Sequence, residues 1–402
     1  MQLAIIGDDS LPQSTLVHAK MLHELALYYK EMGFEPVIIS PGRADQSERL
    51  VIEQIDNIAY WRFRSGKLRG KGKFKRAINE TLLSAKAWLA IRNEIKKQKF
   101  DGVIYYSPSI FFGYLAYKIK TVCKCKAYLI LRDMFPQWAV DEGLIKQGSF
   151  IEKYFRFFER LNYSSADCVG LMSVKNLELF EKYNGKKYNT EVLYNWADKN
   201  AFPSKSRVFG LRERFNLTDK VIFFYGGNLG HAQDMGNLLR LADAMMSIDS
   251  AHFIFLGQGD EVDLVKDVIE SNGLINCLFL PSVSQQDYKL ILNEVDIGLF
   301  SLSAKHSAHN FPGKLLGYMV HSLPILGSVN QGNDLADVIH GANAGYIFNN
   351  GDDYAFFESA KKFATNESLR KKIGQNSNSL LLDSFSVDSA AKQIIELFVD
   401  RK

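Results

Sequence analysis

Three short stretches of this chain place glycine, amide and basic residues where a strand gives way to a helix. "VIFFYGGNLGHAQDM" (221–235) is an apolar strand that ends in Gly226, Gly227, Asn228, Leu229 and Gly230. "FLGQGDE" (255–261) repeats the device with Gly257 and Gly259. "HNFPGKLLGYMVHSLPILG" (309–327) opens a short helix with Asn310, Pro312, Gly313 and Lys314, then runs into an apolar strand. A helix start exposes free N–H groups and the positive end of a dipole, so it attracts anions. Glycine lets the backbone approach such a ligand closely. Each stretch also has a plainer reading. The glycines can serve turns that need positive φ, Asp260 can be a helix N-cap, and Lys314 can be a solvated surface charge.

These stretches need strands and helices in alternation to hold them, and the chain has that rhythm. Strands are expected over 3–7, 37–40, 103–106, 128–131 and 168–172, and again over 221–226, 253–257, 277–280, 297–302, 324–327 and 345–348. Helices are expected over 15–32, 74–98, 111–122, 150–163 and 314–320, with two more at the end, 367–382 and 387–399. Such βαβ alternation predicts parallel sheets covered on both faces, with ligands at the carboxyl ends of the strands. The polar run "NWADKNAFPSKSR" (195–207) divides the pattern in two. The expected division is a first domain over 1–198 and a second over 199–380. Residues 381–402 are expected to form a C-terminal helix that packs back on the first domain.

The bulk numbers agree with this. A length of 402 residues is natural for two domains, and 47% apolar with 23% charged residues is ordinary for a globular protein. No apolar run reaches 18 residues, so no membrane-spanning helix is expected, and "MQLAIIGDDS" reads as a first strand and not as a signal peptide. Cys123, Cys125, Cys168 and Cys277 have neither zinc-site spacing nor the pattern of a disulfide framework, which points to a reduced, cytoplasmic compartment. Charge is uneven. Residues 1–200 carry 31 Lys and Arg against 22 Asp and Glu, a surplus of nine positive charges; residues 201–402 carry 18 against 23. An anionic partner is expected on the first half.

The order and spacing of the three stretches resemble the donor domain of GT-B fold, family-4-type glycosyltransferases. That family lines its nucleotide-sugar site with a "GN-L/I-G" loop, a "G-x-G" loop and a "P-S-K-x-x-E-Y-M-A-x-G-x-P-V" segment. In this chain they fall at 226–230, 257–259 and 312–325. "DMFPQWAVDEGL" (133–144) resembles the family's "D-x-W-P-E" loop, and "QGNDLADVIHGANAGYIF" (331–348) its "G-x-x-x-x-V…G" tail. The resemblance covers nearly the whole chain and implies an α/β GT-B fold: two Rossmann-like doubly wound parallel-sheet domains facing across a cleft. It implies a hexosyltransferase-type enzyme that retains anomeric configuration and uses neither a metal ion nor a cofactor. No Asp-x-Asp motif stands in a suitable loop; Asp8-Asp9 and Asp352-Asp353 are adjacent pairs.

Two departures set this chain apart. The family's paired glutamates, eight positions apart, are replaced by His309 and Gly317, and its basic pair after the first loop by His231 and Gln233. They resemble the subgroup of bacterial O-antigen and capsule synthesis in which N-acetyl-L-fucosamine is one donor sugar. The implied donor is a UDP-sugar, bound by Gly227, Asn228, Gly230, His231, Gln233, Gly257, Gly259, Asn310, Pro312, Gly313 and Gly317. The implied catalytic residues are Lys314, meeting the diphosphate, and Asp133, orienting acceptor or donor; Asp133 has the alternative of capping its loop. Leu315, Leu316, Tyr318 and Met319 should face the core. His18, on the first helix, reads as packed or solvated and not catalytic.

The first half adds a basic run, "RFRSGKLRGKGKFKR" (62–76), with eight Lys and Arg and no acid, and four more lysines over 118–126. The run has few aromatics and no nucleic-acid-binding module, so no nucleic-acid partner is expected. An anionic membrane leaflet fits, at about 1 kcal/mol per basic residue near the surface; a mobile solvated loop is the plainer reading. The helix over 149–163 aligns Phe150, Tyr154, Phe157, Phe158 and Leu161, and this face is expected in the core. A polyprenyl-diphosphate-linked saccharide acceptor, with the protein peripheral on the inner face of the bacterial plasma membrane, would account for a basic surface. Two other classes stay open: a UDP-sugar epimerase of related fold, and a non-catalytic nucleotide-sugar-binding protein. A nicotinamide-dependent dehydrogenase does not fit, because the first strand lacks Gly-x-Gly-x-x-Gly and the second ends in Ser40-Pro41 without a ribose-binding acid.

Overall fold

The computed structural model describes residues 1–9, 17–66, 79–107, 109–141, 143–198, 209–304 and 311–399. The chain divides into two compact units, Met1–Tyr194 with Val387–Lys402, and Asn195–Ser386.

The first unit begins β1 (Gln2–Ile6), α1 (Val17–Glu31), β2 (Glu35–Pro41), β3 (Leu50–Ile55) and β4 (Ile58–Phe63). It continues with α2 (Leu83–Lys97), β5 (Gly102–Ser107), α3 (Gly113–Cys123) and β6 (Lys126–Leu131). Then come α4 (Gln137–Asp141), α5 (Phe150–Ser165), β7 (Cys168–Leu171), α6 (Val174–Asn184) and β8 (Thr190–Val192). The sheet order is β3-β4-β2-β1-β5-β6-β7-β8. All neighbours pair in parallel except β3 with β4. β5 is buried at every position, as a parallel strand covered on both faces should be.

The β3–β4 hairpin and β8 have no counterpart in the sequence expectations. The hairpin turns through Asp56 and Asn57, both with positive φ (51° and 62°), as a tight turn between antiparallel strands requires. β3 is only half-buried, so its apolar residues are spread thinly. The helix expected over 74–98 is seen as Leu83–Lys97, and positions 74–78 lie outside the described residues.

α5 corrects another expectation. Phe150 is 89% exposed, Phe157 62% and Tyr154 41%, so these three do not enter the core, whereas Phe158 packs against it, edge-on to Phe111 with ring centroids 4.9 Å apart. The buried side instead carries Glu159, Asn162 and Tyr163. Glu159 is satisfied by Arg156 Nη1 at 3.0 Å and by the Tyr163 hydroxyl at 3.2 Å, and the Asn162 carbonyl accepts from the Tyr105 hydroxyl at 2.5 Å. Specific polar partners let Glu159 face inward, where a buried charge would otherwise be costly; at Asn162 it is the backbone carbonyl that is bonded, and the side-chain amide has no partner among the described residues.

The second unit comprises α7 (Leu211–Arg214), β9 (Val221–Asn228), α8 (Met235–Ala244), β10 (Ala251–Gln258), α9 (Val262–Ser271) and β11 (Cys277–Pro281). These are followed by α10 (Gln285–Ile291), β12 (Ile297–Ser301), α11 (Lys314–Val320), β13 (Ile325–Val329), α12 (Leu335–Gly341) and β14 (Gly345–Asn349). Two helices close it, α13 (Asp353–Thr365) and α14 (Glu367–Leu380). Its sheet is wholly parallel, in the order β11-β10-β9-β12-β13-β14. The order reverses at β9, which lies between β10 and β12. Open α/β sheets bind ligands at the carboxyl end of such a switch point. The last helix, α15 (Val387–Val399), belongs to the first unit, where Gln393 Nε2 donates to the Val192 carbonyl at 2.8 Å.

Candidate functional site

The carboxyl end of β9 is the Gly-rich loop. Gly227 and Asn228 are exposed, whereas the six residues before them are buried. β9 and β10 pair in register, Gly227 with Gly257 and Asn228 with Gln258. The loop then continues onto its neighbour: Leu229 N–H donates to the Gln258 carbonyl, and Glu261 N–H to the Leu229 carbonyl, both at 2.9 Å.

The approach of these two loops explains two of the glycines. At Gly257 (φ 151°) a Cβ would stand 1.8 Å from the Gly227 carbonyl oxygen, and at Gly259 (φ 153°) 2.1 Å from the Leu229 carbonyl oxygen. Both positions exclude a side chain because backbone meets backbone. Gly227 (φ 124°) differs: a Cβ there would meet only Lys314 Cε and Nζ, in ordinary contact at 3.7 and 3.8 Å, and the residue is exposed.

Side chains lock the loop. Asn228 Nδ2 donates to Gln233 Oε1 at 2.7 Å, and the Tyr225 hydroxyl to the Asn228 carbonyl at 2.5 Å. His231 Nδ1 lies 2.8 Å from Glu261 Oε1 and Nε2 3.3 Å from Asp260 Oδ2. The bond to Glu261, with the charge of Asp260, raises the His231 pKa above its ordinary value. Glu261 is buried, and its other oxygen accepts from the Met235 N–H at 2.9 Å, at the start of α8. Sequence reasoning missed Glu261; its only signal was an acid after the second glycine pair. Asp260 is not an N-cap as expected. The cap residue of α9 is Glu261, without a side-chain capping bond, because Asp260 is turned to His231 and crowds Gly230.

Pro312, Gly313 and Lys314 sit at the start of α11; Asn310, like His309, lies outside the described residues. Leu315, Leu316, Tyr318 and Met319 are buried, as the pattern required. Lys314 is half-buried and not a solvated surface charge, its ammonium 3.4 Å from the centroid of the Tyr225 ring. Burial lowers its pKa well below the usual lysine range. Gly317 lies one turn further along, where a Cβ would come 3.2 Å from Leu292 Cδ1. Gly227, Asn228, Gly230, His231, Gln233, Gly257, Gly259 and Lys314 thus form one connected loop cluster, with Pro312 and Gly313 adjoining in sequence.

Asp133 belongs to the first unit, two residues past β6. It opens to solvent, yet burial by the surrounding chain raises its carboxyl pKa, with Arg132 pulling the other way. Arg132 donates to the carbonyls of Leu193 (2.5 Å) and Tyr194 (3.1 Å), and burial brings its pKa down to about 10. Of the basic run, Arg62 is buried and paired with Glu53, and positions 67–76 lie outside the described residues. Among the described residues no helix is long and apolar enough to cross a membrane.

With this geometry in place, known proteins give it a class. Residues 210–380 match the model for glycosyl transferases group 1. Over 224 residues the chain is 25% identical to the probable glycosyltransferase WbjE of Pseudomonas aeruginosa, covering 55% of each chain. Over 209 residues it is 23% identical to the putative colanic acid biosynthesis glycosyl transferase WcaI of Escherichia coli, covering 51% of each. The matches therefore span about half the length of these curated relatives. A structure of HepE from Anabaena in complex with UDP and glucose aligns with a TM-score of 0.65 at 15% identity, over 98% of both chains. The fold is accordingly GT-B, two parallel-sheet α/β domains, as the resemblance implied. Residues 210–380 thus match a group 1 glycosyltransferase domain, and the chain is homologous to proteins described as glycosyltransferases, one of them in colanic acid biosynthesis.

Proposed function

We propose that this chain is a retaining glycosyltransferase that moves a sugar from a UDP-sugar to a polyprenyl-diphosphate-linked saccharide in O-antigen or capsular polysaccharide synthesis. N-acetyl-L-fucosamine is the donor sugar to try first. The observation that carries the reading is the exposed backbone of Gly227 at the switch point of the second sheet, with the Lys314 ammonium beside it. A diphosphate there would meet loop N–H groups, the start of α11 and one ammonium. A UDP ligand, as in the Anabaena relative, suits that chemistry. Gly227, Asn228, Gly230, His231, Gln233, Gly257, Gly259, Asn310, Pro312, Gly313 and Gly317 line the donor site in this reading.

Transfer breaks the bond from the anomeric carbon to the diphosphate, whose oxygen gains negative charge. Stabilising that charge is the main task of the protein. Lys314 suits it because a desolvated ammonium gains most from an arriving anion, which restores its proton affinity. Asp133 is proposed to orient acceptor or donor.

The test is thermal stabilisation of the full chain by UDP, GDP, ADP and NAD, with Lys314→Ala alongside, followed by transfer from UDP-sugars to a polyprenyl-diphosphate-linked acceptor. Ligand binding to the folded state raises the melting temperature by mass action. A UDP-selective shift that weakens in Lys314→Ala is expected. No shift with any nucleotide, or a shift with NAD alone, would overturn the reading. Turnover of the UDP-sugar without acceptor would replace it with an epimerase, and UDP binding without any turnover with a binding protein.

The membrane part rests on α5. Its exposed Phe150, Ile151, Tyr154 and Phe157 share the helix with exposed Lys153 and Arg160, and Lys153 Nζ lies 5.8 Å from the centroid of the Phe150 ring. An apolar strip with cations beside it matches the interface of an anionic bilayer. Phosphatidylglycerol vesicles should sediment the wild-type chain and not Phe150→Glu/Phe157→Glu. Equal sedimentation of the two, or none by either, would remove the membrane from the proposal.

A further inference from the structure

The first sheet has its own switch point, at β1 between β2 and β5, and a second constellation stands there. Asp8 follows β1 by two residues. His18 Nε2 lies 3.0 Å from Asp8 Oδ1, an ion-pair contact without hydrogen-bond alignment, and both of these atoms are sealed from water and have no other partner among the described residues. The imidazole is stacked on Tyr106 of β5, with ring centroids 5.2 Å apart and planes inclined by 20°. Tyr106 in turn feels the charges of Arg132, Asp133 and Asp8; burial is the larger influence and lifts its pKa to about 12.

This arrangement determines what the ring can do. A carboxylate only accepts, so the nitrogen facing it is the one that carries the hydrogen. In the neutral ring the Nδ1 lone pair is then left as an acceptor. Among the described residues no donor reaches Nδ1, and it is not among the sealed atoms. An oriented acceptor at the carboxyl end of a switch-point strand, with the Asp133 carboxylate two residues past a nearby strand of the same sheet, suits a hydroxylated ligand.

We propose that His18, held by Asp8 and by its stack on Tyr106, binds a hydroxyl of the acceptor saccharide through Nδ1. Asp8 is then a positioning residue that acts through His18. The inference rests on the glycosyltransferase reading above and adds a sugar subsite to the first unit.

Three full-chain variants test it, assayed with the UDP-sugar that the wild type transfers and an N-acetylglucosaminyl-diphospho-undecaprenol acceptor. His18→Phe keeps a ring on Tyr106 and removes both nitrogens. His18→Asn returns an amide oxygen near the place of Nδ1. Asp8→Asn frees the tautomer. Loss of one hydrogen bond should raise the acceptor KM about tenfold in His18→Phe, with donor KM and the UDP-induced melting shift unchanged. His18→Asn should recover most of that loss, and Asp8→Asn should fall between the two. An acceptor KM that stays at the wild-type value in His18→Phe, a donor KM that rises in step, or an Asn variant no better than Phe would each overturn the subsite. Loss of the UDP shift in His18→Phe marks misfolding; His18→Asn then decides, a wild-type acceptor KM upholding the subsite and a raised one overturning it. Absence of transfer by the wild type overturns the glycosyltransferase reading itself, and the subsite falls with it.

Discussion

The two units place chemistry at the same point of a parallel sheet and build it from different materials. In the second unit the cluster is mostly backbone: two glycine loops touch through carbonyl oxygens, and side chains such as Asn228, Gln233 and Glu261 brace them. In the first unit it is mostly side chains, with Asp8, His18, Tyr106, Arg132 and Asp133 converging from separate elements. A backbone site is intolerant at particular positions, because a single Cβ destroys the approach. A side-chain site tolerates substitution in its fold and loses function one contact at a time.

The sharpest test of that contrast is Gly257→Ala. With a Cβ 1.8 Å from the Gly227 carbonyl at φ 151°, the loops must separate. We expect a loss of about 3 kcal/mol or more, read as a large fall in melting temperature with no UDP shift left. Gly313→Ala is the control: nothing lies within 4 Å of its Cβ, and its φ of −59° suits alanine. Its melting temperature should hold, and a smaller UDP shift would place a ligand against that backbone.

The next effect belongs to the first unit. Arg132→Met leaves the Leu193 and Tyr194 carbonyls without their donors. A cost of about 2–4 kcal/mol is expected, measured as faster amide exchange near β8 while the UDP shift persists. Retained protection there would show that side chains in this unit matter less than argued.

Asp133→Asn should leave stability within about 0.5 kcal/mol, because the residue is exposed. Its transfer rate should fall about a hundredfold if the carboxylate meets substrate. An unchanged rate would return Asp133 to a loop residue.

The smallest effect is the pH dependence of His231. Its folded pKa is raised, so its link to Glu261 and Asp260 contributes fully below the unfolded value of about 6.5 and is lost as pH rises through the folded value. The melting difference between wild type and His231→Gln should close as pH increases. His252 shows the opposite sign. Burial, with Lys220 adding, depresses its pKa to about 4, so it costs stability as pH falls from about 6.5 towards that value. His252→Gln should flatten the acid side of the melting profile.

Much of the second unit was legible because buried parallel strands are continuous apolar runs that stop at glycine. β9, β10 and β12 to β14 lie within two residues of their expected starts, and α11 spans the expected Lys314–Val320. The hairpin of β3 and β4 escaped because half-buried antiparallel strands dilute their apolar residues, although the Asp56-Asn57 turn was in view. His18 is packed, as one of its two expected readings had it, but nothing in its neighbourhood along the chain signals Asp8 and Tyr106 as what it packs on.

Local pattern by itself determined the alternation of strands and helices, the glycine-ended turns and the inward face of α11. These depend on periodicity and on φ, which a residue carries wherever it sits. Only the tertiary structure decided that Gly257 and Gly259 are required by loop-to-loop approach, that α5 turns Phe150, Tyr154 and Phe157 outward and buries Glu159, and that Asp8 finds His18. Those outcomes depend on partners brought close by strand order and helix packing, and a side chain's energy follows from its partners more than from its type.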